Sequence, residues 1–242
     1  MREAVGKLSR RAFCGCASVA LWSSLAATRA DAQSAACAVM TRDTQHATSP
    51  ADALARLMEG NARFVGGKTV NCDLMRQVRE TAKGQAPFAA VVGCIDSRVP
   101  PELVFDQRIG DIFCARIAGN FVNTDIIGSL EFATKLAGAR TIVVLGHSDC
   151  GAIKGAIDDV KLGNLTAMLE HIRPSVMASK TNGERSSKNA EFVQTVAEAN
   201  VKAAVAMLKS QSPILTALAN EGQLTIVGAM HELASGKVSL LA

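Results

Sequence analysis

The hydrophobic pattern changes period along the chain. From Ala51 to Phe64 apolar residues recur at helical spacing (Leu54, Leu57, Met58, Phe64), and Gly66-Gly67 stop the run. A second helix is expected from Cys72 to Lys83, closed by Gly84. From Phe88 onward short continuous apolar runs take over, at 88–93, 112–117, 141–146 and 223–229. They are short for helices and rich in small and β-branched residues, as strands buried on both faces are. Between them lie helical segments, near 101–106, 123–137, 151–172, 188–210 and 213–221. Alternating strands and helices predict an α/β fold, a mostly parallel sheet of four to five strands flanked by helices, with right-handed crossovers. Lys237 to Leu241 reads as a short edge strand, and the polar stretch Ser179 to Asn189 as a loop. Residues 33–50 read as a loose polar tail, and 51–242 as a single domain without internal repeats. The N-terminal helices precede the first core strand and are expected to pack on a dimer partner.

The first 32 residues have a different character. A basic segment ends in Ser9-Arg10-Arg11-Ala12-Phe13, an apolar stretch runs from about Ala12 to Ala27, and Ala30-Asp31-Ala32 offers a small-x-small cleavage site. This is the layout of an export signal, cleaved near Ala32, and the paired arginines resemble the twin-arginine type. A periplasmic or otherwise exported location is therefore expected. The apolar run falls short of the roughly 20 residues that span a bilayer, so no stable membrane anchor is expected. The segment holds five basic residues against two acidic ones. The rest holds 21 against 20, a balance that gives no electrostatic case for nucleic acid. With 48% hydrophobic and 20% charged residues, a substantial core is expected.

Chemistry concentrates at two strand ends. Cys94-Ile-Asp-Ser-Arg98 follows Ala89-Ala-Val-Val-Gly93, and His147-Ser-Asp-Cys150 follows Thr141-Ile-Val-Val-Leu-Gly146. Two thiolates and an imidazole are zinc ligands, and three of them leave the fourth position that a catalytic zinc keeps open. His147 and Cys150, three apart at a strand-to-helix turn, can converge on one ion; Cys94 would join from an adjacent strand. Asp96 is either a fourth ligand or an acceptor for a water on the metal, and Arg98 can hold it in bidentate fashion. The competing readings are a Cys94–Cys150 disulfide, as in a thiol oxidoreductase, and buried thiols beside a core histidine. Five of the seven cysteines lie beyond the signal. Among these, Cys37 and Cys72 are candidates for a bridge, and Cys114 reads as a small core residue.

Cys94-x-Asp96-Ser97-Arg98 and Gly146-His147-Ser-x-Cys150-Gly151, with Ala118-Gly119-Asn120 and Gly128-Ser-Leu-Glu131 between, resemble the β-class carbonic anhydrases. The resemblance runs from about Lys83 to Val160 and more weakly to Val238. It implies reversible hydration of carbon dioxide to bicarbonate and a proton by hydroxide on Zn2+, one ion per chain, in a homodimer or higher even oligomer with sites at the interface. Carried over, the metal ligands are Cys94, His147 and Cys150. Asp96 and Arg98 form the catalytic pair, with Asp96 on the metal only in a closed state. Gln85, Phe113 and Gly151 contact substrate, Gln85 often from across the dimer. Phe132 stands where relatives have Tyr, and Met230-His231-Glu232 departs near the sheet's end. The only Trp is Trp22 in the signal, and there is no Tyr, so a bicarbonate-binding inhibitory pocket built from those residues is ruled out. The open state is therefore expected near neutral pH. His171 and His231 read as ordinary exposed histidines with no special claim as proton acceptors. Alternatives within the resemblance are a hydrolase of carbon disulfide or carbonyl sulfide, and a zinc-binding protein without activity.

Overall fold

The structure is a computed structural model that describes residues 37–242. The export signal expected from the sequence, including Arg10, Arg11 and Ala32, lies outside the described residues. In chain order the elements are α1 (Arg42–Ala47), α2 (Pro50–Val65), α3 (Leu74–Thr81), β1 (Ala89–Gly93), α4 (Pro101–Val104), β2 (Ile112–Arg116) and α5 (Thr124–Glu131). There follow β3 (Thr141–His147), α6 (Gly151–Ile157), α7 (Gly163–Glu170), α8 (Arg173–Ala178), α9 (Ala190–Gln211), α10 (Pro213–Asn220), β4 (Thr225–His231) and β5 (Val238–Leu240).

The sheet order is β2-β1-β3-β4-β5. The first four strands are parallel, and β5 pairs antiparallel with β4. The apolar runs follow from burial on two faces. On β1, Ala90 and Val92 enter one core while Ala89 and Val91 enter the other, and on β3 Ile142 and Val144 oppose Val143 and Leu145 in the same way. The first core is closed by α9 through Val193, Val196, Ala197 and Val201. The second is closed by α2 and the α4 region through Ala53, Leu57, Val104 and Phe105.

Helix α2 starts where Ser49 accepts a hydrogen bond from the Asp52 amide at 3.1 Å, with Pro50 in its first turn. Its buried residues Ala53, Leu57, Gly60 and Asn61 form one helical stripe. Asn61 ties α2 to the sheet edge: Nδ2 donates to the Val104 and Gly236 carbonyls at 3.0 and 2.8 Å, and Oδ1 accepts from the Val238 amide at 2.8 Å. Removing those partners strands buried backbone groups, so Asn61→Ala is expected to cost about 2 kcal/mol. Urea unfolding checks this, with faster exchange of the Val238 amide as its local signature.

Three local expectations change. Residues 42–47 are not a loose tail. Thr41 and Thr44 form reciprocal caps on α1, and buried Gln45 donates to the Pro87 and Ala137 carbonyls at 2.6 and 2.8 Å. Those partners are distant in sequence, so no local pattern announces the helix. The helix expected over 151–172 is interrupted at 158–162, where Asp159 takes a positive φ and pairs with Lys161 and Arg173. The helix expected over 123–137 is α-helical only to Glu131. It widens to a π turn over Phe132–Leu136, with the Ala137 amide bonded to the Phe132 carbonyl. Among the described residues no helix is long and apolar enough to cross a membrane.

Candidate metal centre

The strand order sets the place of the site. From β1 the chain goes to β2 on one side, then returns to β3 on the other, so the carboxyl ends of β1 and β3 border a crevice. Cys94 follows the last residue of β1. His147 is the last residue of β3. Cys150 is the N-cap of α6, reached through a turn in which Asp149 has φ 55°. All three are buried, at 3, 1 and 1% exposure. Their donor atoms all lie within 4.8 Å of one another.

The donor set fits zinc on three counts. The Cys94 and Cys150 sulfurs are 4.0 Å apart, unbonded, where two thiolates on one tetrahedral zinc stand about 3.8 Å apart. His147 Nδ1 lies 2.9 Å from the Ser148 carbonyl, which can only accept. Nδ1 therefore carries the proton, and Nε2 presents a lone pair; this buried atom has no hydrogen-bond partner. Finally, the two thiols are hydrogen-bond partners, so the second of their protons is the harder to remove. The Cys150 thiol, as a hydrogen-bond partner, holds Cys94 below the ordinary thiol range, helped by His147 and the Gly119 amide. Cys94 in turn pushes Cys150 up, and burial adds to the rise. A dication between the sulfurs would favour release of that remaining proton.

Asp96 lies beside this cluster without joining it. Its Oδ2 is 3.9 Å from His147 Nε2. Arg98 grips both carboxylate oxygens, Nε to Oδ1 at 2.9 Å and Nη2 to Oδ2 at 2.7 Å, and its amide adds a bond to Oδ1 at 3.0 Å. The Arg98 side chain holds the Asp96 carboxyl well below the usual carboxylate range. Asp96 is thus an acceptor at any working pH. Sequence reasoning missed Arg116, whose guanidinium donates to the Cys94 and Asp96 carbonyls at 2.8 and 2.7 Å and fixes the loop carrying both. A charge ending the apolar β2 run was the available signal.

The residues that the resemblance assigns to substrate are not all placed beside the cluster. Gly151 opens α6 next to Cys150, with open space where a Cβ would stand. Phe113 is half-buried in the middle of β2, packs edge-to-face on Phe132 at 6.2 Å, and lines an open groove of about 830 Å³ that contains none of the three ligands. Gln85 is exposed. It precedes the start of β1, whereas Cys94 follows that strand's end. His231 is not an exposed histidine. It ends β4 at 3% exposure, neither ring nitrogen has a partner, and burial lowers its pKa. His171 is exposed and stacks on Phe121 at 4.4 Å. Cys37 and Cys72 are both in disulfide linkage; Cys114 is a half-buried thiol whose pKa is raised by burial.

Comparison with known proteins agrees with this geometry. The carbonic anhydrase family profile matches residues 89–238. Carbonic anhydrase 2 of Mycobacterium tuberculosis is 36% identical over 199 residues, covering 80% of this chain and 93% of that protein. The carbonic anhydrase of Mycolicibacterium smegmatis is 34% identical over 199 residues, covering 80% and 94%. Among solved structures, the Coccomyxa β-carbonic anhydrase in complex with acetazolamide has 28% identity and a TM-score of 0.62, covering 78% of this chain and 86% of that one. A tetrameric β-carbonic anhydrase from Sordaria macrospora has 27% identity and a TM-score of 0.58, covering 69% and 90%. With the family profile spanning most of the sheet and every member of the buried Cys-His-Cys cluster, this chain belongs to the β-class carbonic anhydrases.

Proposed function

We propose that this carbonic anhydrase hydrates carbon dioxide at a zinc held by Cys94, His147 and Cys150, with Asp96 and Arg98 as the catalytic pair. The observation that carries the reading is the buried triad with an unpartnered His147 Nε2 aimed among the sulfurs. Zinc bound there supplies the Lewis acidity that makes water nucleophilic near neutral pH.

The chain's own residues do the rest. Asp96, ionised and 3.9 Å from His147 Nε2, accepts a hydrogen bond from the attacking water and so orients it. Arg98 occupies the carboxylate's other lone pairs and keeps it off the cluster, the open arrangement. The Gly151 amide, at the start of α6, faces developing negative charge on the substrate. Phe113 lines a groove that holds none of its own chain's ligands, so its apolar wall would serve a site completed by a second chain. Gln85 precedes β1 while Cys94 follows it, which supports its serving a site across a subunit interface. That separation supports an assembly of at least two chains, with the exposed apolar residues Leu74, Met75 and Val78 of α3 on a partner.

Stopped-flow hydration of carbon dioxide tests the reading. Asp96→Asn keeps the shape and removes an acceptor, so kcat should fall about 100-fold with zinc content unchanged. A wild-type protein without zinc-dependent hydration would overturn the reading. Because Arg98 depresses the Asp96 pKa, the carboxylate is charged throughout the working range and protonates only in strong acid. The acid limb of the wild-type pH profile should therefore contain no step from Asp96. In Arg98→Ala the step moves up toward the ordinary carboxylate range, near pH 4, visible as a steeper loss of kcat below pH 5.

Folding and metal loading before export are part of the same proposal. Its support is Arg10-Arg11 with Phe13 and the Ala30-Asp31-Ala32 site. Replacing both arginines by lysine is expected to hold the protein in the cytoplasm, checked by cell fractionation; normal export removes the twin-arginine assignment.

A further inference from the structure

Asn200 sits in the middle of α9 at 3% exposure, among the buried residues Val196, Ala197, Val201 and Ala204. An amide in that apolar company is costly unless it is hydrogen-bonded. Its Nδ2 donates to the Gly119 carbonyl at 2.8 Å, across 81 residues of sequence.

Gly119 belongs to a tight turn. The Asn120 amide bonds back to the Ile117 carbonyl at 2.9 Å, and Gly119, third in that turn, has φ 79°, as a type II turn requires. Its own amide donates to Cys94 Sγ at 3.3 Å. The two bonds flank one Cα: the peptide before Gly119 points its N–H at the sulfur, and the peptide after it is held by Asn200. In a turn of this kind the peptide between the second and third residues is the one that inverts when type II becomes type I. Inversion would turn the N–H away from Cys94. The surroundings are tight, since a Cβ on Gly119 would lie 2.5 Å from Ile172 Cδ1 and 3.2 Å from Ala152 Cβ.

We infer that Asn200 is a positioning residue for the metal centre: by locking the Gly119 turn it aims a backbone N–H at the Cys94 sulfur and limits the charge that sulfur gives to the metal. The inference rests on Cys94 being a zinc ligand. An N–H bonded to a thiolate withdraws electron density from it, and outer-shell partners of this kind are worth about 10–100-fold in metal affinity or activity.

The test uses the full-length protein loaded with cobalt(II) in place of zinc. Asn200→Leu is nearly isosteric and cannot donate. Its thiolate-to-cobalt charge-transfer band is expected at longer wavelength than in the wild type, because the sulfur relieved of the N–H bond is the stronger donor. Val193→Ala, on the same helix and buried at 2%, loses core packing without touching the turn, and its band should stay at the wild-type position. If Asn200→Leu does not accumulate, Asn200→Ser is read in the same way, because its hydroxyl falls short of the Gly119 carbonyl. A band that stays put in the Asn200 variant, or that moves equally in Val193→Ala, overturns the inference. A wild-type protein with no thiolate-to-cobalt band overturns the zinc assignment itself.

Discussion

Cys150→Ser is expected to abolish the metal centre while leaving the fold in place. Zinc should fall from one per chain to a small fraction, and carbon dioxide hydration should drop by at least about three orders of magnitude, because the nucleophile depends on the metal's effect on its water. The substitution isolates ligation from packing. Serine is nearly the size of cysteine, and the side chain at 150 makes no capping bond to α6, so the helix loses nothing there. Its hydroxyl, unlike a thiol, does not deprotonate to give a zinc ligand at neutral pH. Metal analysis by mass spectrometry and stopped-flow kinetics on the same sample check both halves. A variant that keeps stoichiometric zinc and wild-type hydration would remove Cys150 from the ligand set.

Gly60→Ala is expected to be the most destabilising single-methyl change in the domain's second core. Gly60 lies mid-way along α2, where alanine would ordinarily stabilise a helix by about 1 kcal/mol. Here an added Cβ would lie 1.8 Å from the Phe105 carbonyl oxygen and 2.7 Å from Gln107 Nε2. Phe105 is fully buried, and its carbonyl is backbone, so it cannot swing aside as a flexible side chain would. Helix α2 must lift off the sheet instead, exposing part of the surface of Ala53 and Leu57. The net cost should be about 3 kcal/mol or more, a fall in Tm of about 10 °C for a domain of this size. Thermal unfolding with matched scan rates measures it. Zinc content below the transition should be unchanged, since Cys94 and Cys150 belong to the core on the other face of the sheet.

The sheet was legible because its strands are buried on both faces: β1 and β3 are continuous apolar runs, and the structure pairs them in parallel as neighbours. The metal ligands were legible for a related reason. A cysteine or histidine directly after such a run is at the carboxyl end of a strand, where this class of fold opens its crevice. Contacts made at long sequence distance were not legible. Gln45 organises α1 by bonding 42 and 92 residues ahead, and Arg116 reaches back 22 residues to fix the Cys94 loop. His231 looked exposed because a single polar residue at the end of a strand carries no sign of which neighbour covers it.

By itself the sequence determined the donor types, the strand ends that carry them and the Asp96–Arg98 pair, because each of these is set by residues within a few positions of one another. Only the tertiary structure decided that the two sulfurs, 56 residues apart, stand 4.0 Å from each other, that His147 turns its free nitrogen toward them, and that Asp96 is held by Arg98 beside the cluster rather than in it. Those distances depend on the docking of separate βα units and on backbone carbonyls and amides, such as those of Ser148 and Gly119, whose directions no side-chain pattern records.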